Sequence, residues 1–182
     1  TYAGIRTFID LRSKGEQDAE PHPLASDDSF RVIGYDLMGP VLAARGSGRG
    51  HARDPFDLGG LYLDMTIESR DLILDLFARM RDAAKEGAVI VHCTAGKDRT
   101  GVVAALTLRG SGVTDRHVIA DYEMTATRLA PLYDHLLDGV LQAGVPKEHA
   151  HRLLTAEAAT MAHFLTHVDD ELASAAEGLL SD

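Results

Sequence analysis

The only cysteine of the chain, Cys93, lies six residues before Arg99, and two of the residues between them, Ala95 and Gly96, are small. A loop of small residues that leads into a helix can turn its backbone N–H groups towards one bound anion. Such a site favours the thiolate form of a cysteine, which is a nucleophile. The planar fork of an arginine can grip two oxygens of a phosphate. These residue types at this spacing predict phosphoryl transfer to sulfur, which gives a cysteinyl-phosphate that water then hydrolyses.

This reaction also needs an acid to protonate the leaving alcohol and a base to activate the water. Asp98 lies within the loop and suits both roles, although an aspartate there can equally compensate the dipole of the following helix. Asp36, Asp57 and Asp64 flank a glycine-rich stretch and are alternative acids. The residues alone leave this choice open.

The remaining loop residues are expected to support the anion and the nucleophile. Thr100 is expected to hydrogen-bond the Cys93 sulfur, or else to serve only as a hydroxyl at the start of a helix. His92 is expected to order the loop through hydrogen bonds, and Lys97 to add a second positive charge at the rim. The predicted phosphate-binding residues are Thr94, Ala95, Gly96, Lys97, Asp98 and Arg99.

Positioning this loop requires a strand before it and a helix after it. Residues 88–91 form an apolar run that predicts a short buried strand, and residues 102–108 predict a central buried helix. β-Branched and aromatic residues predict two further strands at 5–11 and 30–35. Everything after Gly112 has helical character. We therefore predict an α/β fold with a central, mostly parallel sheet flanked by helices and a helical C-terminal half.

Capping residues predict where the helices begin and end. A helical turn is expected at 15–20 and a short helix at 58–66. Ser69 is the predicted N-cap of a longer helix that ends before Gly87. In the C-terminal half, helices are predicted over residues 115–125 (capped by Thr114), 129–142, 147–153 and 156–177.

Residues 39–55 contain several glycines together with Arg45, Arg49 and Arg53. Glycine-rich stretches are usually flexible surface loops. The three arginines stand out against an acidic background, so a mobile lid that recruits an anionic substrate is the alternative.

Composition limits the classes of partner. The 182 residues suit one domain spanning 1–182, and the net charge of -10 argues against nucleic acid or a polybasic membrane-surface role. No apolar run approaches the roughly 20 residues of a membrane span. The sequence begins at Thr1, so we expect native N-terminal residues to be missing, and a removed targeting peptide fits this start. The compartment is not determined by the sequence; the cytoplasm is favoured and secretion is the alternative.

Four histidines fall close together near the C-terminus, at His149, His151, His163 and His167. No acidic or cysteine partner lies at a recognised metal-ligand spacing, so no metal site is predicted. The cysteine chemistry described above requires neither a metal nor another cofactor.

The run HCTAGKDRTG over residues 92–101 resembles the signature loop of the cysteine-dependent tyrosine phosphatase superfamily. It is most similar to a bacterial branch of atypical tyrosine and dual-specificity phosphatases that also act on phosphoinositides. That branch carries an Ile-Asp-Leu-Arg segment, matched at residues 9–12, and an Asp-Tyr pair, matched at Asp121 and Tyr122.

The resemblance implies a phosphatase-like fold, with Cys93 as nucleophile and Arg99 as phosphate clamp. It also implies that Asp98 is the general acid in place of the Trp-Pro-Asp loop of animal enzymes, and this chain has no tryptophan. The expected substrate is a phosphorylated protein, with phosphotyrosine as the default and phosphoserine or phosphothreonine as additions. A phosphoinositide, or binding of phosphate without turnover, is the alternative.

Overall fold

The sheet consists of three parallel strands. The computed structural model describes residues 4–49, 54, 56–142 and 144–180. Within them, β1 (Ile5–Asp10) lies between β2 (Arg31–Gly34) and β3 (Ala88–His92). Asp10 pairs with Gly34 on one side and with His92 on the other, so the carboxyl ends of all three strands meet at one edge. Ligand sites of parallel sheets form at this edge.

Helices surround the sheet and make up the C-terminal half of the chain. In order, they are α1 (Lys14–Ala19), α2 (Gly39–Gly46), α3 (Leu58–Glu68), α4 (Arg70–Ala84), α5 (Arg99–Gly110), α6 (Asp115–Leu129), α7 (Tyr133–Gln142), α8 (Lys147–Leu154), α9 (Ala158–His167) and α10 (Asp170–Ser174), with a 3₁₀ turn at Ala130–Leu132. The predicted α/β class and helical C-terminal half are confirmed.

The hydrophobic core joins the sheet to the helices that position the cysteine loop. Ile9 of β1, Phe77 of α4, Leu106 of α5 and Phe164 of α9 are fully buried in it. The predicted central position of α5 follows from its sequence, because apolar residues occur nearly all round it. Among the described residues, no helix is both long and apolar enough to cross a membrane.

The prediction of a flexible loop over residues 39–55 is wrong for its first half, which is helix α2. Val41 and Ala44, three residues apart, are buried on one face of this helix. The Asp36 carboxylate accepts the backbone N–H groups of Met38 and Gly39 at 3.0 and 2.7 Å, which organises the start of the helix. Arg53 of the predicted arginine lid lies outside the described residues.

Two other boundary predictions need correction. The Ser69 hydroxyl makes no capping bond to α4; instead it donates to the Leu37 carbonyl at 2.9 Å. The single helix expected over 156–177 divides into α9 and α10, because Val168 is extended and the Asp169 side chain accepts the N–H of Glu171, which starts a new helix.

Candidate active site

The cysteine loop, residues 93–98, connects the end of β3 to the start of α5 at the carboxyl edge of the sheet. Gly96 has a φ of +70°, a left-handed conformation that lets the loop turn back on itself. Cys93 is 8% exposed. The loop therefore places a nearly buried thiol beside the N-terminus of a 12-residue helix.

One cleft brings the three predicted catalytic residues together. Cys93, Asp98 and Arg99 all line a cavity of about 480 Å³, together with Thr94, Ala95 and Lys97 of the predicted phosphate-binding set. Gly96 does not line this cleft. The opposite wall is formed by apolar side chains from several helices.

Arg99 is held by the carboxylate of Glu16 on helix α1. Its Nη1 and Nη2 atoms donate to Glu16 Oε2 and Oε1 at 2.5 and 3.0 Å. The Thr94 hydroxyl donates to the same Oε1 at 2.6 Å and accepts from Arg99 Nη2 at 3.2 Å. Glu16 and Thr94 thus fix the plane of the guanidinium at the mouth of the loop.

Hydrogen bonds and charge pairing decide the protonation states of Glu16 and Arg99. Burial disfavours the Glu16 carboxylate, but hydrogen bonds from Arg99, Thr94 and Ser13 outweigh it and hold the pKa of Glu16 well below its ordinary value. For Arg99, burial acts to lower the pKa, while the Glu16 hydrogen bond and nearby negative charges raise it above its ordinary value. The pair is therefore ionised throughout the neutral range.

Sequence reasoning did not single out Glu16. A signal was present, since Ser13 and Glu16 have the spacing of a capping box, and both halves of that box form at the start of α1. The pattern fixes the position of Glu16 on its helix. It carries no information on the contact with Arg99, 83 residues further along the chain.

Asp98 lines the cleft and receives two donors on one oxygen. The Tyr62 hydroxyl donates to Asp98 Oδ1 at 2.6 Å, and Lys97 Nζ lies 2.9 Å from the same atom. No described residue hydrogen-bonds Oδ2. Asp98 makes no side-chain capping bond to α5 and is 34% exposed, so its carboxylate faces the cleft instead of serving the helix.

A second tyrosine extends this chain of hydrogen bonds. The Tyr122 hydroxyl lies 2.7 Å from the Tyr62 hydroxyl, and both residues are buried. Burial and the nearby Asp98 carboxylate raise the pKa of Tyr62 above its ordinary value, and burial does the same for Tyr122. Both phenols therefore stay protonated, with Tyr122 donating to Tyr62 and Tyr62 donating to Asp98.

The expected position of Lys97 at the rim is wrong. Lys97 is 2% exposed, and its ammonium donates to the Leu153 and Thr155 carbonyls at 2.6 and 3.1 Å as well as lying beside Asp98. An ammonium has three N–H donors, so this group has none left for a substrate. Lys97 joins the loop to the end of α8.

Of the two residues predicted to support the loop, His92 makes a hydrogen bond to it and Thr100 does not. His92 Nδ1 donates to the Cys93 carbonyl at 3.2 Å, and its ring packs against His22. The expected hydrogen bond from Thr100 to the Cys93 sulfur is not made. The Thr100 hydroxyl is buried without a partner among the described residues, and Thr100 lines a cavity against α6 instead of the cleft.

The alternative acids are engaged elsewhere. Asp36 organises the start of α2, and Asp57 caps α3 by accepting the Gly60 N–H at 3.1 Å. Asp64 is fully buried and accepts two hydrogen bonds from Arg45 at 3.0 and 3.2 Å. This ion pair also fixes one of the arginines assigned to a lid.

The described residues contain no group of three or more His, Cys, Asp or Glu side chains arranged for a metal ion. The C-terminal histidines contact aromatic rings instead: His163 packs against His167, and His149 stacks on Phe56 at 3.9 Å between centroids.

The match to known proteins covers nearly the whole chain. A model of the tyrosine phosphatase family matches residues 1–179. A tyrosine-protein phosphatase of Nostoc commune is 35% identical over 123 residues, which is 68% of this chain and 41% of that protein. Protein tyrosine phosphatase domain-containing protein 1 of Bos taurus is 30% identical over 105 residues, 58% of this chain and 12% of that protein. This chain spans less than half the length of either relative. From the extent of the family match, the chain belongs to the tyrosine phosphatase family.

Proposed function

We propose that this chain is a cysteine-dependent phosphomonoesterase that hydrolyses phosphotyrosine through a cysteinyl-phosphate. The observation that carries the proposal is the convergence of Cys93, Asp98 and Arg99 on one cleft at the start of α5. The thiol and the carboxylate come from the cysteine loop and the guanidinium from the first residue of α5, and the apolar wall opposite them suits a phenyl ring. The names of the relatives point to the same activity.

In the first step, the Cys93 thiolate attacks phosphorus while the bond from phosphorus to the leaving oxygen breaks. Protonated Asp98 gives its proton to that oxygen, and the alcohol leaves. In the second step, water attacks the cysteinyl-phosphate and gives a proton to the Asp98 carboxylate. The phosphorus–sulfur bond breaks, inorganic phosphate leaves and the thiolate is restored.

The surroundings of the loop supply the charge stabilisation. Glu16 accepts from Nη1 and Nη2 of Arg99, Thr94 accepts from Nη2 as well, and no described residue hydrogen-bonds Nε. The Nε–H group can therefore donate to an equatorial oxygen of a phosphate, while Glu16 keeps the plane of the guanidinium fixed. Backbone N–H groups at the start of α5 add to this field. Uncatalysed phosphate-monoester hydrolysis is so slow that enzymes must lower its barrier by more than about 20 kcal/mol.

The direct test uses p-nitrophenyl phosphate with the native chain, Cys93→Ser and Arg99→Lys. We expect Cys93→Ser to abolish turnover yet still bind inorganic phosphate, because the backbone and Arg99 remain. Arg99→Lys keeps the charge but loses the fork, and should lower kcat/KM about 10²–10³-fold. Turnover by Cys93→Ser at the native rate would contradict the mechanism. Phosphate binding by a native chain that shows no turnover would favour a binding protein without activity.

The intermediate itself can be trapped. In Asp98→Ala both steps lose Asp98, but p-nitrophenolate leaves without an acid, so the first step continues while the second lacks its base. Acid quenching after mixing with ³²P-labelled p-nitrophenyl phosphate should therefore leave label on the protein. The same quench with the double variant Cys93→Ser, Asp98→Ala should leave none. Label in the double variant would place the phosphoryl group on another residue.

Phosphoserine, phosphothreonine and phosphoinositide turnover remain predictions of the resemblance. Lys97, the second positive charge predicted at the rim, is engaged with backbone carbonyls and so does not contact the additional phosphates of a phosphoinositide head group. Phosphotyrosine is therefore favoured over a phosphoinositide, and matched phosphopeptides and phosphoinositides assayed side by side test this order.

A further inference from the structure

The cleft beside the cysteine loop has two chemically different halves. The charged half comes from the loop and from Glu16, and the other half is entirely apolar. Apolar side chains reach it from five helices, among them Leu42 of α2, Leu58 of α3, Leu129 of α6, Leu136 of α7 and Leu154 of α8. A site of this kind matches an amphiphile with one phosphate and an apolar body.

Helix α7 presents an apolar face that the protein core does not cover. Leu136 and Val140 lie one turn apart and both line the cleft. No residue of α7 is buried. Neither Leu136 nor Val140 belongs to the hydrophobic core of the described residues or packs against it. Half-buried apolar groups that face a cavity gain free energy when an apolar ligand covers them.

The cleft offers little to a second polar group on the substrate. Among the described residues that line it, the only cations are Lys97 and Arg99. Lys97 has its three N–H groups directed at Leu153, Thr155 and Asp98, and Arg99 stands where the reacting phosphate binds. A polar body on the substrate would lose its water without new partners.

We propose that this cleft takes phosphate monoesters whose alcohol carries an extended apolar body, with the phosphate on the cysteine loop and the body along α3, α7 and α8. This rests on the proposed function and names the substrate class of the same site. The volume of about 480 Å³ falls among pockets for whole small ligands, so a lone phosphorylated phenyl ring fills only part of it.

A series of 4-alkylphenyl phosphates tests the proposal. The first member, 4-methylphenyl phosphate, reproduces the phosphotyrosine side chain, and lengthening the alkyl group leaves the basicity of the leaving phenol nearly constant. Each newly buried methylene should raise kcat/KM about threefold to fourfold up to hexyl. Compounds of equal length that end in a carboxylate should show no gain. All are assayed below the concentrations at which they form micelles.

A matched pair of leucine variants locates the effect. Leu136→Ser introduces a hydroxyl into the apolar wall and should flatten the alkyl dependence. Leu132→Ser changes a leucine that is 54% exposed and does not line the cleft, and it should keep the native dependence. Neither α7 nor the 3₁₀ turn Ala130–Leu132 contains a buried residue, so neither change removes a core side chain.

The outcomes separate the two proposals. Turnover of 4-methylphenyl phosphate with no gain along the alkyl series would overturn the apolar substrate class and leave the phosphatase proposal standing. If no member is turned over, the phosphatase proposal fails. Calorimetric binding of the same series to Cys93→Ser then still tests the cleft, where equal affinity for methyl and hexyl compounds would overturn the inference.

Discussion

Asp98 illustrates how the surroundings of one carboxylate divide its two oxygens between structure and chemistry. Oδ1 receives Tyr62 and Lys97, both buried, and Oδ2 has no partner among the described residues. A carboxylate held by one oxygen has a fixed direction and a free atom for proton transfer. This arrangement suits a group that must act first as an acid and then as a base.

The acid role predicts a dependence on the leaving group. Asp98→Asn cannot donate a proton, so hydrolysis of 4-methylphenyl phosphate, whose phenol is a basic leaving group, should fall about 10²–10⁴-fold. Hydrolysis of p-nitrophenyl phosphate needs little protonation and should fall much less. Steady-state kinetics with both substrates measure the difference. Equal losses on the two substrates would mean that Asp98 is not the acid.

The two tyrosines should act through Asp98 in a graded way. Tyr62→Phe removes the donor to Asp98, and the loss of a hydrogen bond to a charged group predicts a fall in kcat of about 10–100-fold with little change in KM. Tyr122→Phe leaves that bond in place and should cost less than tenfold. Urea unfolding should show destabilisation of about 1 kcal/mol for Tyr122→Phe, which loses one neutral hydrogen bond, and of about 2–3 kcal/mol for Tyr62→Phe, which also loses the bond to the charged Asp98. Equal kcat losses in the two variants would contradict the order Tyr122 to Tyr62 to Asp98.

At the scale of elements, α8 is attached to the active site through Lys97. The Leu153 and Thr155 carbonyls at its end accept from this lysine, His149 stacks on Phe56, and His151 Nδ1 is hydrogen-bonded to the Tyr133 hydroxyl of α7. The helix lacks a side-chain cap at its start. Its position therefore depends on these contacts more than on its own sequence.

Breaking the lysine contact should loosen this helix selectively. Lys97→Met leaves two carbonyls without a charged donor, and we expect a loss of about 2–3 kcal/mol of stability with faster amide hydrogen exchange over residues 147–155. Lys85→Met is the matched control, because Lys85 is exposed and pairs with Asp82 at the end of the same helix, away from α8. Unchanged exchange in Lys97→Met would show that α8 is held by its other contacts.

The same elements show what a sequence can and cannot reveal. The strands and the central helix were predictable because their apolar residues follow periodic local patterns. Helix α2 was missed, since the glycines and arginines around it suggested a loop, while the burial of Val41 and Ala44 favours a helix. Serine is a common helix N-cap, but the Ser69 hydroxyl donates to the Leu37 carbonyl instead.

The candidate site divides in the same way. Cys93, Asp98 and Arg99 lie within a short stretch of consecutive sequence, 93–99, so their convergence follows from local spacing. Glu16, Tyr62 and Tyr122 reach that loop only through the fold. The burial of Lys97 depends on carbonyls 56 and 58 residues away, which no local pattern records.

At the scale of the whole molecule, several of the described groups with a shifted pKa lie near the cysteine loop. Burial acts to raise the pKa of Asp10, but its hydrogen bonds with Arg12 outweigh this and lower it, as Arg99 does for Glu16. Burial raises the pKa of the phenols of Tyr62 and Tyr122, and also that of Tyr35, which is bonded to Asp75 away from the cleft. The stability of the fold should therefore respond to pH in both directions, with the site contributing to each.

The direction in which stability changes with pH follows from the difference in pKa between the folded and the unfolded chain. A carboxylate with a lowered pKa in the folded chain contributes stability above its ordinary pKa of about 4, and this contribution is lost as the pH falls further. A phenol with a raised pKa contributes stability below its ordinary value of about 10, and this is lost as the pH rises through and beyond that value. Burial also lowers the pKa of His22, so the unfolded chain binds a proton at this imidazole more readily and stability falls as the pH drops below its ordinary value of about 6.5. We therefore expect the free energy of unfolding to be flat between about pH 7 and pH 9 and to fall on both sides.

Two variants identify groups that cause the loss of stability at low and at high pH, when urea unfolding is measured from pH 3 to pH 11. Glu16→Gln removes the titrating group, so its deficit relative to the native chain should be largest near neutrality and shrink as the pH falls below about 4. Glu20→Gln, with an exposed side chain at the end of α1, is the matched control and should follow the native curve. Tyr122→Phe should lessen the fall above about pH 10, because the buried phenyl ring has no proton to lose. If Glu16→Gln keeps a constant deficit at every pH, the carboxylate is not held ionised by Arg99, and the fixed guanidinium on which the site depends has another cause.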